Sequence, residues 1–126
     1  MSIEHPVTSA QRLRWQPIGY PMHFAGRHKC AFRLATMIES KVVVSTIGAY
    51  LPEGNTQLEP MGGATCAEDE MFFETYVFAV KRVENGMPII GDQLYAERCR
   101  TEQEAYKLHH DSCMKFQYEL TMGMHR

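Results

Sequence analysis

Hydrophobic and polar positions alternate with a period of two in three stretches of the chain, and that period is the mark of a half-buried strand. From Arg27 to Ile38, His28, Cys30, Phe32, Leu34, Thr36 and Ile38 share one face, and Lys29, Ala31, Arg33, Ala35 and Met37 the other. Glu39-Ser40-Lys41 forms a turn, and Val42 to Leu51 is the partner strand, rich in β-branched residues. Gly48 in that strand marks a bulge or a close backbone approach. The densest aromatic and β-branched run is Phe72 to Val80. Its two faces, Phe72/Glu74/Tyr76/Phe78/Val80 and Phe73/Thr75/Val77/Ala79/Val83, are both apolar enough for a central strand. Asn85-Gly86 then signals a hairpin, and Met87 to Cys99 returns. Pro88 and Gly91 disturb the start of that return, leaving Gln93 to Cys99 as its better-paired part.

After Cys99 the period changes. Thr101-Glu102-Gln103-Glu104 is a capping box. Downstream of it, Ala105, Leu108, His109, Ser112, Cys113, Phe116 and Leu120 fall on one stripe at helical spacing, and Gly123 stops the helix. Before Arg27, Pro6, Pro17, Gly19, Pro21 and Gly26 break any regular period, while Trp15, Tyr20 and Phe24 supply apolar anchors. The sequence therefore predicts a single α+β domain. An irregular N-terminal arm (1–26) precedes a first hairpin (27–51), a long loop (52–70), a second hairpin (71–99) and a helix (101–120). The two successive hairpins form one antiparallel sheet, and the helix packs on one face of it.

Composition changes this picture little. The chain has 126 residues, a length suited to one core, and 44% hydrophobic with 22% charged residues argues for a globular protein rather than a disordered one. A formal net charge of −2 disfavours a strongly basic nucleic-acid binder. The first ten residues hold Glu4 and lack the apolar run of a secretory signal, and no stretch reaches the roughly 18 apolar residues of a membrane span. The expected compartment is the cytosol, where Cys30, Cys66, Cys99 and Cys113 remain thiols. Nine methionines suit an adaptable binding surface.

Four constellations carry candidate chemistry. His109 and Cys113 lie four apart on one helical face, and His28 and Cys30 two apart on one strand face. If helix and strand cross, the four could hold a tetrahedral zinc. The competing reading makes Cys30 and Cys113 small core residues and His109 a hydrogen-bonded histidine between sheet and helix. Glu74, among aromatics, is either an acid or base with its pKa raised by burial, paired with His109 or His110, or a solvent-facing or Arg-paired carboxylate. His109-His110-Asp111-Ser112 contains catalytic residue types, yet adjacent helical residues diverge, so no catalytic residue is assigned. Arg12, Arg14, Arg27, Lys29 and Arg33, interleaved with Trp15, Tyr20 and Phe24, form a basic 12–33 region able to hold a nucleic-acid backbone or simply to solvate a sheet. The 52–70 loop gathers Glu53, Glu59, Glu68, Asp69 and Glu70. Its Glu59, Glu68 and Asp69, with Trp15, Tyr20 and Phe24 of the arm, are the expected recognition residues, because loops on a rigid sheet commonly carry binding.

Several segments together resemble small proteins of tailed bacteriophages. They are Gly26-Arg27-His28-Lys29-Cys30, then Val43-Val44-Ser45-Thr46-Ile47-Gly48-Ala49-Tyr50-Leu51-Pro52, then Phe73-Glu74-Thr75-Tyr76-Val77-Phe78. The last is Thr101-Glu102-Gln103-Glu104-Ala105 with His109 and Cys113 downstream. The resemblance spans about residues 26 to 116. Such proteins are of unassigned function, so it transfers no catalytic residue and implies an infected bacterial cytoplasm or a virion as the setting. The leading expectation is a non-enzymatic accessory protein with a protein partner. The alternatives are a virion component, in which arm and loop pin subunits into a homo-oligomer, and a small zinc-dependent or nucleic-acid-processing enzyme.

Overall fold

The computed structural model of the chain describes residues 15–18, 30–50 and 71–123. Five strands form one antiparallel sheet in chain order: β1 (Trp15–Pro17), β2 (Cys30–Ile38), β3 (Val42–Tyr50), β4 (Phe73–Glu84) and β5 (Met87–Cys99). Among the described residues one helix, α1 (Glu102–Thr121), lies across β2, β3 and β4. The α+β architecture read from the hydrophobic pattern is thus present.

One detail differs from that reading. The arm contributes a strand: Trp15, Gln16 and Pro17 pair with Ile38, Met37 and Thr36, so the sheet has a fifth member. Three residues ending in proline are too short to display alternation, which is why the pattern showed only a break. β4 is interior and paired on both sides, as its two apolar faces predict, with β3 at the middle of the five. Every β3 residue from Val42 to Gly48 is buried, which its near-unbroken apolar and small character permits.

Register explains the division of faces. Ile38, Val42, Val44 and Val77 meet Cys113 and Phe116 of α1 in the main core cluster, while Phe32, Phe73 and Ala105 form a second beneath the helix N-terminus. The opposite face is also buried, at Met37, Val43, Ser45, Ile47, Glu74 and Phe78. Gly48 is the close approach that its position in the strand suggested. A Cβ there would sit 2.1 Å from the Phe73 ring, which instead meets Phe32 edge-on at 5.4 Å.

The β4–β5 ladder is regular from Phe73↔Cys99 to Val77↔Tyr95 and then shifts register at three places before the Asn85-Gly86 turn. β3 stops pairing at Ala79, so the distal part of this hairpin runs on beyond the rest of the sheet. The helix begins as its capping box dictates: the Glu104 N–H donates to Thr101 Oγ1 at 3.1 Å, and the Thr101 N–H donates to Glu104 Oε1 at 3.2 Å.

Candidate functional site

The described chemistry-bearing side chains collect in three places. The first is the seam between α1 and the sheet. Thr46 and Thr75 are direct partners on β3 and β4, and their hydroxyls are 2.6 Å apart. Thr46 Oγ1 also lies 2.7 Å from His109 Nδ1, and Thr36 Oγ1 of β2 lies 3.0 Å from His109 Nε2. The Thr36 hydroxyl further reaches the Cys113 thiol. The result is a chain of hydrogen bonds across three strands and a helix, in which a neutral imidazole donates from one nitrogen and accepts at the other. Burial pushes the His109 pKa down to about 4, with the neighbouring His110 adding to the effect. Burial also pushes the Cys113 thiol up to about 12. Thr46 and Thr75 have no exposed surface, so the Thr46–His109 contact is closed to solvent, while the Thr36–His109 contact is part-buried.

The second place is the opposite face. Glu74 is buried, and Oε2 of its carboxylate receives the Arg98 guanidinium through Nε at 3.1 Å and Nη2 at 3.0 Å. Tyr76 joins this pair. Burial, with the charge and hydrogen bond of Glu74, raises the pKa of its phenol. Cys30 packs with Ile47 and Tyr50, and burial pushes its thiol up to about 11.

The third is an open cleft of about 360 Å³ between the end of β5 and the first turns of α1, lined by Glu97, Cys99, Arg100, Lys107, Leu108 and Asp111, among others. α1 lies across β2, β3 and β4, and on β5 its Phe116 ring reaches Tyr95 at 6.3 Å. Lys107 and Asp111, one turn apart on α1, are paired along the helical wall of the cleft at 2.7 Å. Burial, with Glu104 and Glu97, holds the Cys99 thiol up at about 11, so the thiol is protonated and a poor nucleophile near neutral pH.

Against the sequence-derived candidates, the structure brings His109 and Cys113 into one network but sets Cys30 in a separate cluster. Among the described residues no three His, Cys, Asp or Glu side chains converge as metal ligands. Both His109 nitrogens face hydroxyls, and His28 lies outside the described residues. Glu74 is the Arg-paired carboxylate of the second reading. His109 turns inward while His110 and Asp111 are exposed, as helical divergence requires. Trp15 is engaged in packing: its indole N–H donates to Gln117 Oε1, and its ring meets His110 edge-on at 5.7 Å. Tyr20, Phe24, Glu59, Glu68 and Asp69, like most of the 12–33 region and all of the 52–70 loop, lie outside the described residues.

Sequence reasoning missed Gln117, buried at the edge of the helical stripe, and the three threonines. Each threonine sits at a helix-facing position of its strand, a signal visible once a polar partner is sought for a histidine on an apolar stripe. Comparisons of the chain with family models, curated proteins and solved structures match none of them. Among the described residues no helix is long and apolar enough to cross a membrane.

Proposed function

We propose that the protein is a binding module that docks an extended segment of a protein partner along β5, in the role of a phage accessory protein. One observation carries this reading: β5 is the outer strand of the sheet, with no strand on its far side among the described residues. An unpaired edge offers a row of backbone donors and acceptors to another chain. Its Tyr95–Cys99 part is regular and borders the cleft, whose walls would receive alternate side chains of an added strand. The setting in an infected bacterial cytoplasm rests on the resemblance of residues 26 to 116 to small tailed-phage proteins. The acidic loop and the basic, aromatic arm are further recognition surfaces on this reading.

The register shifts of the β4–β5 ladder favour a partner strand over a second copy. Two residues of β5, Gln93 and Tyr95, pair with the adjacent Phe78 and Val77, so Leu94 is the inserted residue of a bulge. A bulge near the middle of an edge strand interrupts symmetric self-pairing.

The test is capture from extracts of infected bacteria, comparing the wild-type chain with the double variant Leu94→Lys/Ala96→Lys. Both positions are exposed, so the fold and its melting temperature are retained. Loss of a specific protein partner in the variant is the expected result. Undiminished capture by the variant, or capture of nucleic acid alone, contradicts the reading.

A further inference from the structure

The seam between α1 and the sheet is an unusual way to hold a helix. Three of the six buried residues of α1, His109, Ser112 and Gln117, are polar. Opposite them the sheet presents Thr36, Thr46 and Thr75 beside its apolar residues. Direct hydrogen bonds, together with a modest apolar contact, join the two layers.

At the middle of the seam stands one imidazole with a threonine hydroxyl at each nitrogen. Among the described residues no carboxylate, lysine or arginine of β2, β3 or β4 faces it. Glu74 is on the far face with Ile47, its register partner, and Arg98 is bound to Glu74 there. On α1 itself, the Cys113 thiol lies one turn away, His110, Lys107 and Asp111 are exposed, and His110 opposes a second charge. Among the described residues, a proton added to His109 therefore meets no counter-charge. Both ring nitrogens become donors, and Thr36 and Thr46 must then both accept. Thr46 can donate only towards Thr75, and the polarity of the whole chain of hydroxyls is forced.

The sheet does not need the helix for its ladder. All five strands pair among themselves, and α1 follows β5 through Arg100 and Thr101 alone. We propose that α1 is an acid-released latch: uptake of a proton by His109 frees the helix from the sheet as a unit, uncovering the Ile38, Val42, Val44 and Val77 stripe. The proposal is independent of the docking reading for β5.

Amide hydrogen exchange on the full chain tests this, with protection followed from pH 7 to pH 4.5. That range stays above the acid titration of the Glu104 carboxylate, whose pKa is lowered by the backbone N–H groups of the cap. Amides of Leu108 to Phe116 are expected to open at least tenfold more readily than those of Val43 to Thr46 at every pH. Their opening constant should rise roughly tenfold per pH unit below about 6.5, with an overall gain of about two orders of magnitude by pH 4.5. His109→Gln should abolish that slope. Equal protection of helix and β3 at all pH values means that only global unfolding occurs and overturns the proposal. So does a helix opening independent of pH, or a slope that survives His109→Gln. Should that variant fail to fold, the wild-type comparison of α1 with β3 decides alone.

Discussion

At the scale of single residues, groups that look catalytic in the sequence are consumed in holding the fold. His109 is the clearest. Its folded pKa of about 4 lies below the ordinary 6.5, so between those values the unfolded chain binds more protons than the folded one. Its contribution to stability is therefore complete above pH 6.5 and is lost as pH falls to about 4. The loss is on the order of 3 kcal/mol, measurable as a drop in chemical-denaturation free energy. Thr46→Val leaves a His109 nitrogen and the Thr75 hydroxyl without their partner. We expect it to cost about 1–3 kcal/mol, whereas a valine at an exposed strand position costs little. The Glu74–Arg98 pair follows the same logic. Arg98→Met strips a buried carboxylate of a cation and should destabilise by about 2–4 kcal/mol. Lys107→Met breaks the exposed Lys107–Asp111 pair and should cost less than about 1 kcal/mol. Equal melting temperatures for these two variants would show that the Glu74 site is not a buried pair.

At the scale of elements, local chemistry and backbone geometry agree at most boundaries and disagree at one. Asn85-Gly86 occupies its turn with φ of 54° and 81°, which these residues accept readily. The β2–β3 turn requires the same left-handed geometry, yet Glu39 and Ser40 both stand there at 58°. A turn was legible at Glu39-Ser40-Lys41, but its type was not, since neither residue announces a positive φ. Ser40 is exposed, so Ser40→Gly relieves strain without losing packing and should raise stability by about 1 kcal/mol in thermal denaturation. The capping box was fully legible, because its residues are adjacent in sequence. The reciprocal hydrogen bonds of Thr101 and Glu104 follow from spacing alone.

At the scale of the whole molecule, what was legible is what period and punctuation encode: four strands, one helix, and their order. The fifth strand was hidden in three residues. The seam was hidden because Thr36, Thr46, Thr75 and His109 meet only through strand register and the crossing of α1. No spacing along the chain brings them together. Gln117 escaped for a related reason: a polar residue at the edge of a helical stripe reads as solvent-facing until Trp15 folds back to donate to it. Packing of this kind gives the molecule a buried polar centre and leaves β5 as the outer strand of the described sheet.

His109 stands in the helix–sheet seam as a hydrogen-bonded imidazole with a threonine hydroxyl at each nitrogen. The most direct measurement is the ¹⁵N spectrum of histidine side chains in the labelled protein, recorded from pH 7 to pH 3.5 and again with one equivalent of zinc. With these contacts His109 should hold a single neutral tautomer at pH 7, titrate with a midpoint near 4, and show no change on adding zinc. A midpoint in the ordinary range near 6.5, or a zinc-dependent shift of the His109 nitrogens, would contradict this placement.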